Sequence, residues 1–212
     1  MTHSLLGIAT PDAYRPQNTG SDDLFLLRLN AAGIRQWATY YGGPGVEGYA
    51  QVALDLEGNI ILSGQSNSET GITSPFAFRT QPPPRPQPNT PTSRYASFIV
   101  KFSPGAATRL WATYYSYNAL YDITCDTDGS IYVTGQQKTG APYGVTTPGA
   151  HLHVESSYDA TNTMLFLSKF SPSGYQVWGT MIGGNTIWLS RGSALALDRH
   201  NGYIYVGGGY RQ

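Results

Sequence analysis

Three short runs in this 212-residue chain hold residue types that could do chemistry. In His151-Leu152-His153-Val154-Glu155, an extended backbone would place two imidazoles and a carboxylate on one face, a donor set that suits zinc or another divalent cation. His151, however, holds the place that Tyr14 and Phe78 hold in a repeated loop, so it reads first as a ring filling a slot. Thr124-x-Asp126-x-Asp128-Gly129 has the spacing that opens a calcium loop, but Gly135 stands where the bidentate Glu is required. Its plainer meaning is a hairpin turn, matched by Asp55/Gly58 and Asp198/Gly202. Glu47 and Asp55 are acids near strand ends and read as solvated loop charges rather than as a general acid and base. Gly207-Gly208-Gly209 is followed by no Lys-Ser/Thr, and there is no Gly-x-Ser-x-Gly elbow. The expectation is therefore no catalytic residue, no cofactor and no metal site.

Composition narrows the classes further. Lys plus Arg is 13 and Asp plus Glu is 13, with no basic run, so the clustered cations that neutralise phosphates in nucleic-acid binders are missing. The longest apolar runs, such as residues 24–27, are far too short to span a bilayer. Aromatics make up 13% and charged residues 12%, a balance that suits sheets packed on both faces. Cys125 is the single cysteine, which leaves no internal disulfide and no cysteine-rich zinc site. Met1-Thr2-His3-Ser4 does not open a secretory signal.

The elements that carry these residues come in three matching sets. Trp37-Ala38-Thr39-Tyr40-Tyr41 returns as Trp111-Ala112-Thr113-Tyr114-Tyr115, and more loosely as Trp178-Gly179-Thr180-Met181-Ile182. Each set opens with Gly-[Ile/Val]-x-[Ser/Thr]-Pro-x-Ala-ring, at Gly7, Gly71 and Gly144. An alternating run follows, at 25–30, 98–103 and 166–171, with Arg28, Lys101 or Lys169 always fourth. Apolar alternation of period two that ends in Gly- or Pro-containing turns predicts a strand. The Trp run is the second strand. The third lies at 50–54, 119–125 and 194–197, and the fourth at 60–64, 131–135 and 203–207. The hairpin glycines Gly58, Gly129 and Gly202 lie 71 and 73 residues apart. Four antiparallel strands per unit, repeated at a long period, predict an all-β chain of three four-stranded blades, with repeats at about 7–70, 71–143 and 144–210 of a single 1–212 β-propeller segment. Equal places in equal units also predict that Trp37, Trp111 and Trp178 are mostly buried between blades, and that the three cations pair with an acid or carbonyl of a neighbouring blade.

The ordered marks Asp23 to Leu29, Trp37 to Gly43, Asp55 to Gly64, Asp126 to Gly135 and Thr147 to His151 resemble the bacterial SBBP-type β-propeller repeat. The variant is similar to repeats of large surface proteins of the Bacteroidota, many of them exported by the type IX system. The resemblance covers nearly the whole chain. It implies a secreted or cell-surface module for binding, adhesion or scaffolding, with no shared catalytic set. Copy two departs from the pattern at Ser116-Tyr117, copy three at Met181-Ile182, and copy two carries a proline-rich insertion at 81–88, read as a stiff surface spacer.

Propellers close with about 4–8 blades, so three blades imply a fragment of a larger ring, or half of one closed by a second copy. The partners expected are thus further blades of the parent chain or a second copy, with a surface glycan or protein as ligand, and neither nucleic acid nor a membrane span. The long stretches 66–97 and 137–163 are read as connections between blades, gathered on one rim. Candidate ligand-binding residues there are Tyr14, Arg15, Phe78, Arg79, Tyr95, His151, Tyr158 and Trp188. The alternative is part of a propeller hydrolase or lyase acting on polysaccharide, with catalytic groups on that rim or in further blades.

Overall fold

Each repeat folds as two antiparallel hairpins. The computed structural model describes residues 7–84, 95–117, 120–139, 145–151, 159–182 and 188–211. Among them are twelve strands and no helix. In chain order these are β1 (Leu24–Leu29), β2 (Arg35–Tyr41), β3 (Glu47–Leu54), β4 (Ile60–Ser66), β5 (Ala96–Phe102), β6 (Arg109–Tyr114), β7 (Leu120–Cys125), β8 (Ile131–Thr139), β9 (Asp159–Phe170), β10 (Gln176–Ile182), β11 (Trp188–Asp198) and β12 (Tyr203–Arg211). The turn chemistry works as its residues require. Asp55 Oδ1 accepts from the amides of Glu57 and Asn59 at 3.0 and 2.8 Å. Gly58 closes that turn at φ +77°, an angle that costs a side-chain-bearing residue about 1–2 kcal/mol. Between β5 and β6 the left-handed place falls on Ala106, φ 52°, and not on Gly105.

The chain is all-β, with four-stranded antiparallel sheets, but the sheets are cut half a repeat away from the sequence units. β3-β4-β5-β6 form one sheet, so the second half of copy one joins the first half of copy two. β7-β8-β9-β10 repeat this arrangement. β11-β12 adjoin them through one parallel bridge, Trp188 to Thr163, and β1-β2 stand as a separate hairpin. The three repeat-phased blades are thereby corrected to two whole sheets flanked by two hairpins. The pairing between β4 and β5 decides this. It runs in unbroken register from Ile60 opposite Phe102 to Ser66 opposite Ala96. The long stretches after β4 and β8 consequently join strands of one sheet, whereas the short turns after β2 and β6 lead from one sheet to the next.

The sheets stack through two apolar cores in series. Phe98, Val100 and Phe102 of β5 point to the first, with Ile60 and Leu62 of β4 and Leu24, Leu26 and Tyr41 of the leading hairpin. Ile61 and Ile99, on the opposite face, enter the second with Ile131, Val133, Phe166 and Phe170. The β4–β5 pair is buried on both faces, which explains a chain so rich in rings and so poor in charge. β3 runs beside β7, and β7 beside β11. Cys125 lies in the second core, where burial pushes its thiol up to about 12 and leaves it unreactive.

Trp37, Trp111 and Trp178 are half-buried, less enclosed than their repeat position predicts. Trp37 and Trp111 pack at the margins of the first and second cores. Trp178 sets its edge against Tyr132 at 6.1 Å. Two cations find acids, but on hairpins of their own sheets rather than of a neighbouring one. Lys101 Nζ lies 2.9 Å from Asp55 Oδ2, both buried, and Lys169 Nζ lies 3.8 Å from Asp128 Oδ2, nearer solvent. The Lys101 and Asn59 partners hold Asp55 below the usual carboxylate range, outweighing a burial effect that acts the other way.

Candidate binding cleft

The repeated Pro-containing loop seals an open strand edge. In copy two, the Ser74 amide donates to Ala112 O at 3.0 Å, and the Ala112 amide donates back to Ser74 Oγ at 3.0 Å. The Arg79 amide then donates to Thr113 Oγ1 at 2.9 Å. Copy one lays Thr10 and Arg15 along β2 in the same way, and copy three lays Thr147 along β10. An uncovered edge would expose a row of unpaired backbone groups, so the loop motif has a backbone task in every copy.

That task accounts for four of the expected ligand contacts. Tyr14 wedges into the first core, 5.4 Å from Phe102. Phe78 does the same in the second, 6.2 Å from Phe170. Arg15 and Arg79 stack against those rings at 5.9 and 5.6 Å. These side chains plug the gaps between sheets. Tyr95 and His151 are exposed and belong to separate loops. Tyr158 lies outside the described residues, as do His153 and Glu155, while Trp188 is placed by its backbone at the start of β11. Of the described part of the proline-rich stretch, Gln81 and Pro84 are exposed and Pro83 is buried, and residues 85–94 lie outside the description. No group of three or more His, Cys, Asp or Glu capable of holding a metal occurs among the described residues.

Sequence reasoning missed the ring that the loop does present. Phe76, the variable residue of Pro-x-Ala, is 88% exposed at φ 60°. Copy three has Gly149 at this place, φ +80°. A phenylalanine held at a left-handed angle with its ring in water is strained and costly, and such outliers concentrate at ligand-binding positions. The only signal in the sequence was an apolar residue where the other copies carry Asp12 and Gly149. Neighbouring groups fix the ring's position. Tyr175 Oη donates to Phe76 O at 2.7 Å, and Trp111 Nε1 donates to Pro172 O at 2.9 Å. The first ties the copy-two loop, and the second ties β6, to the turn between β9 and β10. A cleft of about 320 Å³ opens there, lined by Ser74, Phe76, Phe78, Arg109, Trp111 and Ser173 among others. It offers flat apolar surfaces beside hydroxyl and guanidinium donors.

The acids expected to be solvated are instead enclosed. Glu47 is buried at the foot of β3, where Oε1 accepts from Ser66 Oγ at 2.6 Å and from Ser68 Oγ at 2.7 Å. Its Oε2 accepts from the Gly43 amide at 3.0 Å. Asp23, also buried, faces it across Gly42, whose missing Cβ would collide with both carboxylates. Burial pushes the Glu47 carboxyl above its ordinary range against these hydrogen bonds, and Asp23 adds to the rise. The correction has a simple cause: strand ends in stacked sheets lie under the loops that connect them, and sequence position alone does not show that cover.

The chain matches no protein-family model, and a search of curated proteins likewise finds no match.

Proposed function

We propose that this chain is a run of SBBP-type propeller blades. It works as a non-enzymatic binding, adhesive or scaffold module of a secreted or cell-surface protein. Support for the blade reading comes from successive four-stranded antiparallel sheets, packed face to face through cores in series, with strands β3, β7 and β11 side by side. Further blades of the parent chain, or a second copy, would extend the stack.

Phe76 carries the binding reading. Nothing in the packing of the sheets requires that ring in solvent, and its backbone angle is unfavourable. The surface around it suits the apolar face of a sugar in a surface glycan, with Arg109 and Ser173 within the same cleft to meet hydroxyl groups. The test is affinity electrophoresis of the 212-residue chain through gels containing neutral polysaccharides. Retardation by one of them, weakened roughly three- to tenfold in Phe76→Ala, is the expected result. Retardation that Phe76→Ala leaves unchanged, or none with any glycan, would overturn the assignment of this cleft.

A further inference from the structure

The two end hairpins are complementary halves of one sheet. β4 pairs with β5, and β8 with β9, in the same register. By the repeat, β12 is the counterpart of β4 and β8, and β1 the counterpart of β5 and β9. Yet among the described residues β12 pairs only with β11, and β1 only with β2. We propose that β12 of one copy pairs with β1 of a second copy, so that β11 and β12 together with the second copy's β1 and β2 form a whole sheet. This rests on reading the successive sheets as blades.

The register follows from the two internal examples. Ile60 opposite Phe102 and Ile131 opposite Phe170 place Ile204 opposite Leu29. Val206 then faces Leu27, and Gly208 faces Phe25. The side chains fit that placement. In β5, the equivalent Phe98, Val100 and Phe102 are fully buried, whereas Phe25, Leu27 and Leu29 are 39%, 38% and 52% exposed. Paired with β12, they would lie on the same face as Ile204 and Val206. That face turns toward β9, since a Cβ on Gly208 would touch Leu165 at 3.8 Å. Three stranded apolar side chains would thus enter the packing that their counterparts in β5 already have.

Charge complementarity fits a second copy of this chain at the junction. The Asp55 Oδ2 that accepts from Asn59 Nδ2 at 2.9 Å also takes Lys101 from β5. Asp198 on the β11–β12 turn has the same setting: its Oδ1 accepts from the His200 and Asn201 amides, and its Oδ2 accepts from Asn201 Nδ2 at 2.7 Å. Arg28, the counterpart of Lys101, is exposed on β1. The junction brings Arg28 of one copy to Asp198 of the other. Two copies joined at both ends give a ring of six four-stranded sheets, a size within the usual range for closed blades.

Sedimentation of the 212-residue chain at micromolar concentration is the test, with hydrogen exchange on the same samples. The expected result is a dimer, with β1 and β12 amides more protected as concentration rises. Leu27→Lys alters a side chain exposed in the single copy, so it should leave the thermal transition of the monomer in place and abolish association. Arg28→Asp alone and Asp198→Arg alone should each weaken association by tenfold or more. Mixing them should restore a heterodimer, because one junction is then native and the other charge-swapped. Dimers or larger assemblies controlled by this charge pair support the junction. A monomer throughout, or an assembly indifferent to Leu27→Lys and to the charge swap, overturns it. If β4 and β5 amides stay protected in that case, only the junction has failed. If they too exchange freely, the reading of the sheets as blades has failed.

Discussion

β1 and β5 occupy the same place in successive repeats, carry the same alternating pattern, and meet opposite fates. β5 is buried along its whole length, while β1 is buried only at Leu24 and Leu26. Their cations differ too: Lys101 is enclosed with Asp55, and Arg28 lies in solvent. The difference lies in what stands on the far side. β5 has a paired β4 and a sheet on each face, whereas β1 has β2 and one packed face. A strand's sequence offers two faces for burial, and its neighbours decide how many are used.

The largest effect should separate the two phenylalanines. Phe98→Ala should cost about 3–5 kcal/mol in denaturant unfolding, because it empties a packed site in the first core. Phe25→Ala should cost below about 1 kcal/mol in the dilute single copy, since its ring is already half in water. Equal losses would break the comparison.

The ion pairs sharpen it. Lys101→Met strands the buried Asp55 and should cost about 3 kcal/mol, at the low end because Asn59 still bonds that carboxylate. Lys169→Met should cost below about 1 kcal/mol, since Asp128 is exposed.

The acids predict opposite pH responses. Glu47 has a raised folded pKa, so its contribution is fully present below the unfolded carboxylate range of about 4.3 and is lost as pH rises through the folded value. Asp55 has a lowered one, so its contribution is present above about 3.9 and is lost as pH falls through the folded value. Wild type should therefore lose stability, relative to Glu47→Gln, as pH is raised from acid toward neutral in urea titrations. Parallel profiles for the two proteins would mean that burial does not raise the Glu47 carboxyl. Asp55→Asn should flatten only the acid limb.

The smallest effects concern the first turn of each copy. Gly33→Ala should cost about 1 kcal/mol, as an exposed left-handed position with nothing for the methyl to touch. Ala106→Gly should change stability by less than about 0.5 kcal/mol, because relief of the backbone angle is offset by the loss of a methyl buried in the first core. A clear gain on Ala106→Gly would show that this methyl contributes little.

Much of the local structure was legible in the sequence. The alternation at Phe25 to Leu29 and its two counterparts marked strands correctly, and Asp55-x-x-Gly58 marked its turn, because a strand's period and a turn's backbone angles are properties of a few adjacent residues. The site was far less legible. Tyr14 and Phe78 looked like rim residues because they sit in long loops, but those loops fold back along β2 and β6 and press the rings into the cores. Phe76, two residues from Phe78, was passed over because the same loop turns its ring outward.

By itself the sequence determined twelve strands, their hairpin order and an all-β chain in three like units. It could not place the boundaries of the sheets, because a periodic series has no natural starting point and any four consecutive strands form an equally good set. The hydrogen-bond register of β4 on β5, repeated by β8 on β9, fixed that phase. With it the tertiary structure decided which faces are buried, why Glu47 is enclosed and Phe25 is not, and which edges are left to pair. Each of these depends on what packs from a distant part of the chain, and that is not written in the residues of any one strand.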